Sequence, residues 1–264
     1  MSLTAGVAPP RYLLGQALHA EWTKFRTVAG PSWLLAGAVA LTVTIGAAAV
    51  SAAQCQSATC GIDPAKASFT GIYPGQAAVA VAGVLAIGNE YGTGMIKLSL
   101  TAMPRRLTWL FAKAPVLVTS ALAVAGAALA GRLILPGHGF TPAHGYASLT
   151  SATDFRAAAG AVLYLTLIVL LSLGAAAAVR DSAAAIGLVL GVLYLFPITA
   201  SLVSDATLAR HLEQIGPLSA GLDAQATIGV KGLPLTPGQG LGVVALWTLG
   251  ALLLGALVLK LRDA

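Results

Sequence analysis

Between Glu90 and Lys113 a single acid shares a short stretch with four bases, Lys97, Arg105, Arg106 and Lys113, and with Gly92, Gly94 and Pro104. Carboxylates and guanidinium groups form charge-assisted hydrogen bonds, so the chemistry on offer is recognition and not bond breaking. Glu90 stands at the mouth of an apolar run. It either anchors a nearby base such as Arg105 or Arg106, or ends a helix as a solvated charge. Elsewhere the chain offers no catalytic set. There is no glycine-rich phosphate loop closing on Lys-Ser or Lys-Thr, so nucleotide binding by this chain has no visible motif. No His-Glu-x-x-His occurs, and Gly216-Pro217-Leu218-Ser219-Ala220-Gly221 has the wrong spacing for a serine-nucleophile turn. His138, His144 and His211 fall in loops or near the ends of apolar runs, and no metal site is expected.

The elements that hold this stretch are set by hydropathy. Of 264 residues 57% are apolar and 9% charged, with a mean hydropathy of +0.85. Soluble domains carry roughly 25% charged residues. Stretches without any Asp, Glu, Lys or Arg run over 27–62, 67–89, 114–131, 157–179, 182–204 and 232–259. At 1.5 Å per residue each approaches or exceeds what a hydrocarbon core of about 30 Å requires. Period-2 alternation is absent, and lipid demands that every backbone group be satisfied within the segment, so these are helices. The predicted fold is an all-α polytopic membrane protein with spans near 33–53, 74–90, 114–135, 157–179, 183–203 and 239–259. Pro115 is expected in the first turn of the third span, where proline is tolerated. Pro197 is expected to kink the fifth or to begin its unwinding.

Six spans put both termini on one side. With that side cytoplasmic, the inner set is Arg11, Lys24, Arg26, Lys97, Arg105, Arg106, Lys113, Arg180, Lys260 and Arg262; the outer set is Lys66, Arg132, Arg156, Arg210 and Lys231. Ten against five follows the positive-inside rule. The pI near 9.6 is then explained by topology, and nucleic acid is not an expected partner. Cys55 and Cys60 fall in the first outer loop, where they can close a small disulfide or remain two thiols.

Residues 1–10 are predicted to be a disordered cytoplasmic tail, followed by a single transmembrane domain over 11–264. Over 11–29, Leu14, Leu18, Trp22 and Phe25 recur at fours and threes, with Gln16, His19, Thr23, Lys24 and Arg26 largely on the other side. That pattern predicts an amphipathic helix lying in the inner membrane interface, before Pro31 and Trp33 turn the chain into the first span. The stretch 90–113 is too polar to span and too apolar for a free linker, so it predicts a helix–break–helix at the inner surface. Leu208, Leu212, Ile215 and Leu218 predict a short amphipathic or re-entrant helix at the outer surface, ending near Gly216-Pro217.

Glu90-Tyr91-Gly92-Thr93-Gly94-Met95-Ile96-Lys97-Leu98-Ser99-Leu100, then Pro104-Arg105-Arg106 and Lys113, resembles the cytoplasmic signature of type-2 ATP-binding-cassette (ABC) permeases. Glu90, Tyr91, Gly94, Ile96, Ser99, Leu100, Pro104, Arg106 and Lys113 fall in step with it; Met95 stands where the family usually has a hydroxyl residue. Glu21-Trp22-Thr23-Lys24-Phe25-Arg26-Thr27 is similar to the family's opening helix. With the six-span layout the resemblance covers nearly the whole chain. It implies a permease subunit of a six-span exporter, multi-pass in the cell membrane, which forms a homodimer or heterodimer and binds two separate ABC ATPase subunits. ATP and Mg would be bound on those partners, and this chain would hold no cofactor. The resemblance further implies a cytoplasmic coupling helix between spans two and three. Glu90, Tyr91, Gly92, Gly94, Pro104, Arg105, Arg106 and Lys113 would couple to the ATPase, braced by the interfacial helix through Glu21, Trp22, Lys24, Phe25 and Arg26. A non-transporting membrane partner on the same scaffold, or a secondary carrier, is the alternative.

Overall fold

The computed structural model describes residues 10–27, 29–52, 69–102, 106–134, 152–226 and 234–261. Residues 1–9, Cys55, Cys60, Pro104, Arg105, His138 and His144 lie outside these ranges. Among the described residues there are helices and turns but no strand. The order is α1 (Pro10–Thr27), α2 (Ala29–Ala52), α3 (Ile72–Gly92), α4 (Met95–Ala102), α5 (Arg106–Ile134), α6 (Ala152–Val179), α7 (Ser182–Leu202), α8 (Ala206–Ile215), α9 (Pro217–Leu222) and α10 (Pro237–Leu261). Six of them, α2, α3, α5, α6, α7 and α10, are long and apolar enough to cross a membrane.

Helix α6 is the axis of the bundle and packs against α3, α5, α7 and α10, while α2 leans on α3 and α5. Every residue from Leu171 to Ala177 is buried. Lipid supplies no hydrophobic drive between helices, so close approach has to come from small residues. The α6–α10 contact shows this: a Cβ on Gly174 would lie 2.5 Å from the carbonyl carbon of Ala251, and one on Gly255 2.6 Å from the carbonyl oxygen of Gly174. Beside it the hydroxyl of Thr248 donates to the Leu167 carbonyl across the two helices at 3.0 Å.

Two boundaries differ from the hydropathy reading. The third long helix starts at Arg106 and not near 114, so Pro115 lies inside it. Trp109, Leu110 and Ala112 are already buried there. A charge, Lys113, had marked the edge of the apolar run, but a paired charge does not have to end a helix. Pro31 and Trp33 lie within α2, which begins at Ala29, and do not precede it. Helix α7 matches its predicted span, with Pro197 inside it.

The segment after α7 is more deeply placed than a surface loop. Asp205 caps α8, its carboxylate accepting from the backbone N–H of Thr207 at 2.7 Å and Leu208 at 3.2 Å. Those bonds hold its carboxyl below the ordinary aspartate value. No residue of α8 is buried, whereas Pro217, Leu218, Ala220 and Gly221 of α9 and the following Asp223–Gln225 turn are. Gly216 is extended between α8 and α9, and α9 with the turn after it packs on α6 and α10.

Gly174→Ala should force α6 and α10 apart, because the atom it strikes is backbone. We expect a loss of about 1–3 kcal/mol, the usual range for overpacking, read as a lower thermal midpoint in detergent. Gly126→Ala, with nothing within 4 Å of the added Cβ, should leave the midpoint unchanged or raise it; equal losses in both would refute this packing account.

Candidate functional site

At the end of the bundle that carries α1, four charges from three helices meet. Glu90 sits in the last turns of α3, Lys113 two turns into α5, and Glu21 and Lys24 one turn apart on α1. Lys113 Nζ donates to Glu90 Oε1 at 2.6 Å and to Glu21 Oε1 at 3.0 Å. Lys24 Nζ donates to the same Glu90 oxygen and lies 3.7 Å from Glu21 Oε1. Glu90 is 3% exposed and Lys113 1%. Two acids against two bases leave no net charge, which is the condition for burying ions at all. The ring of Trp109, one turn below Lys113 on α5, lies 5.0 Å from its ammonium and adds a cation–π contact.

Burial works against the charge on Lys24, but its hydrogen bond to Glu90 and the nearby carboxylate of Glu21 outweigh it. Together they hold the ammonium above the ordinary lysine value of 10.5. A cavity of about 300 Å³ lies beside the cluster, walled by Phe25, Leu85, Asn89, Met95 and Val116 among others.

The bases that meet Glu90 are thus Lys24 and Lys113, not Arg106. Arg106 lies seven residues before Lys113 on α5, two turns or about 10 Å along the axis, too far down to share that carboxylate. Its Nη1 donates instead to the Leu259 carbonyl at 2.7 Å. From the α6–α7 turn, Arg180 Nη2 donates to the Val258 carbonyl at 3.0 Å, and its guanidinium lies over the Tyr91 ring at 5.8 Å. Val258 and Leu259 belong to the last turn of α10, whose carbonyls lack intrahelical partners.

Between the cluster and Arg106 the chain makes a short excursion. Thr93 closes α3, and Gly94 takes φ 71°, where a side chain would be strained. Then α4 turns Ile96 inward and presents Met95, Lys97, Leu98 and Thr101 outward. Leu98 is 70% exposed. Gly92 is exposed, Tyr91 half-buried, and on α1 Trp22 and Arg26 are exposed.

Sequence reasoning had put Lys24 on the outward side of α1. The structure turns Glu21 and Lys24 onto α3 and α5, because an ion pair waits there to receive them. It also missed Arg180, read only as a topology signal, and a second polar group inside the bundle. There Tyr164, on α6, donates to Gln76 Oε1 on α3, Gln76 Nε2 donates to the Tyr194 hydroxyl on α7 at 3.5 Å, and Tyr194 donates to the Tyr73 carbonyl at 2.8 Å. Gln76, an amide in an otherwise apolar run, was the available clue. Among the described residues no group of three or more His, Cys, Asp or Glu could hold a metal ion. No protein-family model and no curated protein matches the chain.

Because the folded Lys24 value is raised, its stabilisation is complete below 10.5 and is lost only as pH climbs through the higher folded value. With fluorotryptophan at Trp22, the fluorine resonance should hold its docked position through neutral pH and move only above that point. Lys24→Gln should show the displaced resonance already at neutral pH. A wild-type transition at neutral pH would contradict the assignment.

Proposed function

We propose that this chain is the membrane-spanning permease subunit of an ATP-driven exporter of the ABC type, working as a dimer with separate ATPase subunits. The observation that carries the reading is α4: a short helix pushed out between two long ones, with apolar and basic side chains exposed and its root tied to an ion cluster. A free surface linker would need no such anchorage. In this reading the end bearing α1, α4 and the last turn of α10 is cytoplasmic, in keeping with the excess of Lys and Arg assigned to that side, and both termini lie there.

Mechanically, Met95, Leu98 and Thr101 seat in an ATPase groove while Lys97 meets an acidic or carbonyl group on its rim. ATP-driven approach of two ATPases pushes α4 sideways. Glu90 and Lys113 at its two roots pass the displacement to α3 and α5, and Glu21 and Lys24 bring α1 with them. Relative movement of these helices in two copies opens and closes the seam between them. The spans are apolar, and the hydroxyls of Thr166 and Ser172 are turned back onto their own helix, which suits an apolar or amphipathic cargo.

The test is affinity purification of the chain with the ATPase encoded beside it. Leu98→Glu and Lys97→Glu should each lower stimulated ATP hydrolysis at least about tenfold, the effect of losing roughly 1.4 kcal/mol at a docking contact, without lowering the thermal midpoint. An impermeant amine reagent should reach Lys97 only from the cytoplasm. Transport by the chain alone on an ion gradient, or labelling of Lys97 only from outside, would overturn the proposal.

A further inference from the structure

Arg180 has φ 63°, the one positive value outside glycine among the described residues. It directly follows α6, and its backbone N–H closes the helix onto the Ala176 carbonyl at 3.0 Å. That left-handed stop is ordinarily glycine, since a Cβ crowds the backbone there. The chain holds 30 glycines, and Gly94 takes a similar φ just after α3, yet an arginine occupies the stop after α6. The side chain must therefore recover what the backbone gives up.

What it does is visible at both ends of the guanidinium. One edge donates to the Val258 carbonyl, in the last turn of α10, where carbonyls lack helical partners and the helix dipole is negative. Its Cζ lies 5.8 Å from the centre of the Tyr91 ring, in the last turn of α3, within cation–π reach. Arg106, at the root of α5, takes the next carbonyl, Leu259. Four elements that are far apart in sequence are pinned at one level: the end of α3, the start of α5, the α6–α7 turn and the end of α10.

We propose that Arg180 is a positioning residue, a clamp that locks the C-terminal end of the sixth span to the α3–α4 junction through Tyr91. Movement at that junction then carries α10 with it. The consequence for transport rests on the permease reading; the clamp itself does not.

Two variants separate the clamp from simple placement of positive charge. Arg180→Lys keeps the charge and the strained φ but lacks the guanidinium fork that reaches Val258 and Tyr91 together, whereas Arg180→Gly relieves the backbone and removes the guanidinium. In hydrogen–deuterium exchange on the purified chain in detergent, Arg180→Gly should speed exchange in the last turns of α10 at least about tenfold, while α6 stays as protected as in the wild type. Arg180→Lys should recover less than half of that protection. Unchanged exchange in Arg180→Gly, full recovery by lysine, or equal acceleration in every helix would each overturn the clamp. With the ATPase partner present, Arg180→Gly should also lower stimulated hydrolysis. Normal stimulation despite lost protection would contradict the transport consequence and leave the clamp standing.

Discussion

A carboxylate at 3% exposure cannot remain charged alone, and Glu90 imposes that constraint on everything around it. Taking an ion out of water costs several kcal/mol even after the surroundings relax. The cost is met only if partners arrive with good geometry. Lys113 arrives from α5 and Lys24 from α1, and Glu21 balances the second ammonium. Once these four are seated, much local structure is decided. Helix α1 cannot lie with Lys24 in water, α5 must begin early enough to carry Lys113 inside, and the chain between Glu90 and Lys113 must loop out and back. The loop is α4, and its outward face follows from the anchoring of its two roots.

The rest of the bundle obeys a different rule. Around α6 the helices meet through glycine, alanine and hydroxyl residues, so contact depends on steric fit and not on charge. Gln76 enters this region bonded to Tyr164 and Tyr194. At the α1 end the two rules join. Arg106 and Arg180 take the unfilled carbonyls of α10, so the last span is held by hydrogen bonds at one end and by close packing along its length.

The number and places of the six long helices were legible in sequence, because lipid forces each span to be a continuous apolar helix. The exposed short helix after Gly94 was legible too, since glycines and proline bracket it. What could not be read was pairing over distance. Lys113 counted as an edge charge only because nothing local showed that Glu90, 23 residues away, would neutralise it. That single omission shortened the third span and left Pro115 in a first turn. Likewise Lys24 counted as polar and therefore outward, although its partner lies 66 residues on. The burial of Pro217–Leu222 escaped because a run of small residues after Gly216-Pro217 has no period that separates a loop from a re-entering helix.

The Glu90–Lys113 bond is open to direct measurement by a double-mutant cycle on the purified chain. Glu90→Gln and Lys113→Gln would be followed singly and together by reversible unfolding in mixed micelles. Each single change unbalances the cluster, since Lys113 keeps only Glu21 and Glu90 keeps only Lys24, and should cost up to about 3–5 kcal/mol, while the double variant should lose far less than the two losses combined. Losses that add to within about 0.5 kcal/mol would show that the two side chains do not act on each other, and would contradict the account.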